Sequence, residues 1–191
     1  YMVFCPSYAF LYTIYDIYMK YFADEGKECL LQSDSMSEAD RENFLSRFRG
    51  NVDCDLQTAG EMDREEEEDI ILIGFCVLGG IFSEGIDLKN DSLIGAIIVG
   101  TGLPQVCSER EILKRYFDME GENGFDYSYR YPGMNKVLQA AGRVIRTTED
   151  VGIIALLDER FLQIAYRKMF PREWEGFETV AVDTVAKRVE R

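Results

Sequence analysis

The sequence predicts an α/β domain with a mainly parallel sheet covered by helices on both faces. Three observations predict it. Short, continuous apolar runs recur at 70–78, 93–101 and 151–157, as expected of strands buried on both sides. Segments with helical periodicity alternate with those runs. At 191 residues and 47% hydrophobic content, the chain can fold around one sizeable core without staples. It has neither an internal repeat nor a Pro/Ser-rich linker, so residues 1–191 read as one domain.

The elements follow in order. Residues 1–5 form a short apolar run that reads as a buried strand, and Pro6-Ser7 turns the chain. Residues 8–23 carry aromatic and aliphatic side chains at helical spacing, so their tyrosines read as packing residues. A second strand is expected at 28–32. Ser37 then caps a helix over 38–48, with Asp40 in the reciprocal capping-box position and Phe44, Leu45 and Phe48 as its apolar stripe. Residues 50–69 show no periodicity and form an acidic loop. The 70–78 strand ends at Gly79-Gly80, and Gly102-Leu103-Pro104 stops the 93–101 strand. A helix over 108–120 precedes a Gly- and aromatic-rich connection at 123–131. Pro132 is placed to open a helix running to Arg146. The last strand, 151–157, leads into a helix over 159–170.

Composition narrows the chemistry. There is no histidine, which excludes Ser-His-Asp and Cys-His catalysis and histidine metal ligands. The five cysteines are widely spaced without a C-x-x-C pair. That pattern argues for reduced, buried thiols in a cytosolic protein, and against a disulfide framework, zinc site or iron–sulfur cluster within the chain. No apolar run reaches the length of about 18 residues needed to span a bilayer. The start carries no signal-peptide pattern and reads as a strand cut close to its edge, so a longer parent protein is expected. The net charge is −14. The whole excess lies in residues 1–109, densest at Asp53–Asp69, while residues 110–191 are balanced. Such a surface opposes generic DNA binding, so any nucleic-acid contact must come from local donors in a groove.

Two segments carry the functional signal. The first is Gly79-Gly80-Ile81-Phe82-Ser83-Glu84-Gly85-Ile86-Asp87, a glycine-punctuated loop after a buried strand. Its glycines permit conformations closed to other residues. Ser83 can donate to a phosphate, Asp87 can accept from ribose hydroxyls, and Glu84 can orient a donor. The second is Gln139-Ala140-Ala141-Gly142-Arg143-Val144-Ile145-Arg146. On a continuous helix Gln139, Arg143 and Arg146 fall at about 0°, 40° and −20°, sharing one face. Gly142 opens space between them for close approach. Paired arginines fork around phosphate oxygens and neutralise charge developing on a transferred phosphoryl group. Each motif alone also fits a plain structural role: a capped strand–helix turn, or a surface helix with ion pairs. Their conjunction, in this order after buried strands, is harder to reach by chance.

With those residues in hand, the chain resembles the second motor domain of superfamily 2 helicases of the XPD/DinG type. Pro6-Ser7-Tyr8 is similar to the family's motif IV. Gly80 to Leu88, with the later Ile98-Val99-Gly100-Thr101-Gly102-Leu103-Pro104, resembles motif V. Gln139 to Arg146, with Asp150-Val151-Gly152 and Leu157-Asp158-Glu159-Arg160-Phe161, resembles motif VI and its sequel. The resemblance implies a RecA-like, three-layer α/β/α fold with a mainly parallel sheet. It implies ATP with Mg2+ at an interface with an N-terminal motor domain absent from this chain. Arg143 and Arg146 would be arginine fingers and Gln139 a nucleotide sensor. Glu84, Gly85, Asp87 and Gly142 would line the nucleotide side, and Ser7, Tyr8 and Ser83 would meet single-stranded DNA. The resemblance also implies 5′→3′ translocation, and the family usually carries an iron–sulfur cluster in its other half. The chain lacks a G-K-[ST] loop and a D-E-A-H box, which belong to that other half. The expected protein is therefore a monomeric, cytoplasmic, bacterial ATP-dependent DNA helicase, of which this fragment alone is inactive. Two alternatives stay open: a non-catalytic nucleotide- or partner-binding module, and an interaction domain whose acidic loop mimics DNA.

Overall fold

A computed structural model describes residues 1–49, 70–83, 92–145 and 150–189. Five strands, β1 (Met2–Cys5), β2 (Lys27–Leu31), β3 (Ile71–Val77), β4 (Gly95–Val99) and β5 (Ile153–Leu157), form one sheet in the order β2-β3-β1-β4-β5. Every pairing is parallel: Met2 lies beside Gly74 and Ala96, Leu31 beside Phe75, and Val99 beside Leu157. The apolar runs at 70–78, 93–101 and 151–157 therefore became strands, the first two trimmed at both ends and the last at its start only.

Strand alternation sends successive side chains to opposite faces. One face carries Val3, Cys5 and Phe75, packed against Leu11, Tyr15 and Tyr18 of α1 (Tyr8–Tyr21). Tyr15 meets the Phe75 ring edge-on at 5.3 Å, so the α1 tyrosines that touch the sheet are packing residues, as the sequence expects. The other face carries Met2, Phe4, Gly74, Cys76 and Ile98. There α2 (Glu38–Arg49) lays Phe44 and Phe48 over Gly74, where a Cβ would stand 2.8 Å from the Phe48 ring. The capping box forms as read: Ser37 N donates to Asp40 Oδ2 at 2.9 Å, and Asp40 N donates to Ser37 Oγ at 3.2 Å.

The helix α4 (Tyr131–Ala141) buries Met134, Val137, Ala140 and Ala141. Its start lies against the chain just past β4, since a Cβ on Gly133 would stand 2.7 Å from Thr101 O. Beyond its end, Val144 lies against Gly152, just before β5. The helix thus crosses the sheet antiparallel to the strands.

Two expectations are corrected here. The 123–131 segment is not an irregular connection. Residues 126–130 form a wide, π-type helical turn (Asp126–Arg130) leading directly into α4. Stacking holds it on α3 (Ser108–Met119): the Phe117 and Tyr127 rings lie 4.2 Å apart, and Arg110 Nη1 donates to Ser128 O at 2.8 Å. The expected 159–170 helix is also broken. A 3₁₀ turn (Glu159–Leu162) stops at Gln163, whose backbone is extended (ψ 140), before the short α5 (Ile164–Arg167).

By its internal contacts the chain groups into two compact units, Tyr1–Glu159 and Arg160–Arg191. The sheet and both motifs belong to the first. Within the second, Phe170 gathers Trp174 and Phe177 edge-on at 5.3 and 5.5 Å, followed by α6 (Val185–Val189). Among the described residues no helix is long and apolar enough to cross a membrane.

Candidate functional site

The glycine loop starts where β3 ends. Gly79 has φ +75, a conformation that side chains resist, and a Cβ there would also strike Lys136 Cδ at 2.7 Å. The loop then closes on itself: Gly80 N donates to Val77 O and Ser83 N to Gly80 O, each at 3.0 Å. Phe82, 1% exposed, stacks on Phe44 with ring centroids 4.2 Å apart. Ser83 is fully buried, and its Oγ donates to Gly80 O at 2.8 Å. Its hydroxyl, expected on a DNA phosphate, is turned inward in this conformation and holds the loop. Glu84, Gly85 and Asp87 lie outside the described residues.

The second motif departs from the expected continuous helix. The helix ends at Ala141, with Gly142 as its C-cap (φ −66, ψ 0). Tight turns follow, Arg143 N donating to Ala140 O at 3.2 Å and Val144 N to Ala141 O at 3.1 Å. Glycine is a poor helix former. The apolar Val144, 4% exposed, is drawn against Gly152 rather than onward along a helix. The shared-face geometry expected of Gln139 and Arg143 therefore stops at Ala141. The turn instead swings Arg143 toward the loop, where its Nε donates to Ser83 O at 3.1 Å. Arg143 is half-buried, while Gln139 and Gly142 are exposed. Arg146 lies outside the described residues.

Ser7 and Tyr8 sit at the exit of β1. Ser7 caps α1, its Oγ accepting from Phe10 N at 3.3 Å. Tyr8 Oη accepts from Gln32 Nε2 at 3.0 Å, and Gln32 Oε1 accepts from Val77 N at 2.8 Å. Burial raises the Tyr8 pKa, and the Gln32 hydrogen bond partly offsets that. Gln32 is 1% exposed, and a Cβ on Gly80 would lie 3.2 Å from its amide nitrogen. This one amide ties the Tyr8 ridge to the start of the glycine loop.

The sequence reading missed Gln32 and Lys136. Gln32 had a signal: it is the first polar residue after a half-buried parallel strand, at the edge where such sheets place their sites. Lys136 precedes Arg143 by seven residues, close to the same helical phase.

The two motifs thus meet along one stripe. The loop runs beside α4, Lys136 lying across its start and Arg143 holding its far end. Among the described residues, Lys136 and Arg143 bring two cationic groups to that stripe. Among the described residues no group of three His, Cys, Asp or Glu side chains could hold a metal ion.

Residues 1–177 match the model of the Helicase C-terminal domain family. The chain is 30% identical over 171 residues to the ATP-dependent DNA helicase CHL1 of Candida albicans, covering 84% of this chain and 19% of that protein. It is 28% identical over 144 residues to a probable ATP-dependent helicase of Methanocaldococcus jannaschii, covering 68% and 22%. It is 36% identical over 91 residues to the ATP-dependent DNA helicase DinG of Photobacterium profundum, covering 47% and 13%. A solved apo XPD structure superposes with a TM-score of 0.59 at 22% identity, covering 87% of this chain and 30% of that one. The chain spans about a fifth of the length of the first two relatives. With the family model matched from residue 1 to residue 177, this chain belongs to the Helicase C-terminal domain family.

Proposed function

We propose that this chain is the C-terminal motor domain of an ATP-dependent DNA helicase that moves 5′→3′ on single-stranded DNA. One observation carries the reading: Arg143 reaches from the end of α4 to the carbonyl of Ser83 in the glycine loop, so the two motifs form one surface. ATP with Mg2+ would lie between that surface and the N-terminal motor domain of the same protein. Arg143 and Arg146 would neutralise charge developing on the transferred phosphoryl group, and Gln139 would sense the nucleotide. Glu84, Gly85, Asp87 and Gly142 would line the nucleotide side. Ser7 and Tyr8 would face single-stranded DNA, while Ser83 would hold the loop rather than touch DNA. The protein would act as a monomer in the cytoplasm.

The support is the family match, the relatives named as ATP-dependent DNA helicases, and a half-buried guanidinium whose plane is anchored along one edge. The test compares the full gene product that carries this chain with the chain alone. DNA-stimulated ATP hydrolysis is expected from the full product only. Hydrolysis by this chain alone, or none by the full product, would overturn the split-site reading.

A further inference from the structure

We infer that Lys136 is a phosphate-binding residue for single-stranded DNA, set by its packing on Gly79 and separate from the nucleotide end of the site marked by Arg143. The inference rests on the helicase reading above and names a residue that reading does not use.

Three observations carry it. First, the Lys136 stem lies over Gly79. Its Cδ, Cε and Nζ would stand 2.7, 2.9 and 3.2 Å from a Cβ at Gly79. The stem therefore lies on bare backbone, in space available only because residue 79 is glycine. Second, among the described residues the ammonium is not paired with a carboxylate. None of the ion pairs among the described residues involves Lys136, whereas Lys27, Arg41, Arg47, Arg49 and Arg130 each pair with an acid. In a chain of net charge −14, phosphate affinity must come from such local cations.

Third, its place in the fold groups it with the DNA end of the site. Gly79 follows β3 at the carboxyl edge of the sheet. Ser7 and Tyr8, which follow β1, stand at the same edge because the strands are parallel. A short chain of contacts links them: Lys136 on Gly79, Gly80 beside Gln32, and Gln32 on Tyr8. Arg143 instead holds the other end of the loop, its Nε on Ser83 O. A lysine here acts as a point charge on a phosphate oxygen, without base readout, so the contact is independent of sequence.

The test uses the full gene product and fluorescent oligo-dT. Lys136→Met keeps the aliphatic stem over Gly79 and removes the charge; Lys136→Arg keeps the charge. The reading is the slope of log Kd against log salt, beside the KM for ATP at saturating DNA. Lys136→Met should flatten the slope by about 0.7, the single-strand value for one phosphate contact, with the KM for ATP unchanged. Lys136→Arg should restore most of the slope. Gly79→Ala should shift the slope in the same direction as Lys136→Met, because it displaces the stem. An unchanged slope in Lys136→Met, with only a lowered Tm, makes the residue a packing element and overturns the inference. A raised KM for ATP with the slope intact also overturns it, assigning Lys136 to the nucleotide. If the wild-type protein binds no oligo-dT, the helicase reading itself fails.

Discussion

The Nε of Arg143 donates to the carbonyl oxygen of Ser83 at 3.1 Å, joining residues 60 positions apart. The acceptor is backbone, so the contact does not depend on the side chain at 83. It depends on the loop shape, which Gly79, Gly80 and the buried Phe82 ring set. The bond ties the glycine loop to the turn that follows α4.

Ser83→Ala separates two roles for that serine. Its hydroxyl is buried on Gly80 O, so the substitution should cost about 1 kcal/mol of stability, the value of one internal hydrogen bond. DNA affinity and its salt slope should stay within twofold of wild type. Fluorescence anisotropy at several salt concentrations checks this, and a flattened slope would restore Ser83 as a phosphate contact.

Gln32→Leu removes both bonds that join Tyr8 to β3. Val77 N–H and Tyr8 Oη would lose their partner in a closely packed place. A stranded buried polar group costs about 1–3 kcal/mol. Urea denaturation should show a lower midpoint with an unchanged m-value. A neutral result would mean that the amide is not holding the ridge to the loop.

The sheet and most helices were legible because their signals are local. Continuous apolar runs mark β3, β4 and the half-exposed edge strand β5, and Ser37 with Asp40 marks the start of α2. The failures share a cause. Val144 and Ile145 continue the helical phase of α4 on paper, but burial of Val144 against Gly152 is a tertiary preference that sequence periodicity does not contain. The wide turn at 126–130 depends on rings stacking between segments. The Arg143–Ser83 bond and the Gln32 bridge span 60 and 45 residues; no local pattern encodes such pairings. The motifs named the chemistry of the site, and the fold supplied its geometry.

Gly133→Ala should be costly, because its Cβ would stand 2.7 Å from Thr101 O and 3.0 Å from Leu103 N, both backbone atoms that cannot swing away. Overpacking of this kind costs about 1–3 kcal/mol. Gly176→Ala meets nothing within 4 Å and should change stability by less than about 0.5 kcal/mol. Thermal unfolding of both variants makes the comparison, and equal Tm values would contradict the close approach of α4 to the chain after β4.

Alkaline pH should unfold the protein partly through its thiols. Burial pushes Cys5 up to about 11 from 9.0, and Cys76 well above 9.0. The fold favours the neutral thiol, so this contribution is intact below pH 9 and is lost as pH rises from about 9 toward 11. Tyr129, held to about 12 by its hydrogen bond to Glu111, acts in the same direction above pH 10. Maleimide labelling with peptide mass mapping gives the companion result. Exposed Cys107 should react in the native state, and buried Cys5 and Cys76 only on unfolding. Native labelling of Cys76 would contradict its burial.

The most direct test is steady-state ATP turnover at saturating single-stranded DNA by the full gene product carrying Arg143→Ala, with DNA affinity measured on the same samples. Turnover should fall by about 10³-fold or more, the scale of an arginine finger, with DNA affinity changed little and poor rescue by Arg143→Lys, whose ammonium cannot reproduce a forked contact. Near-wild-type turnover in Arg143→Ala would contradict that expectation, and would leave the Arg143–Ser83 bond as a structural tie alone.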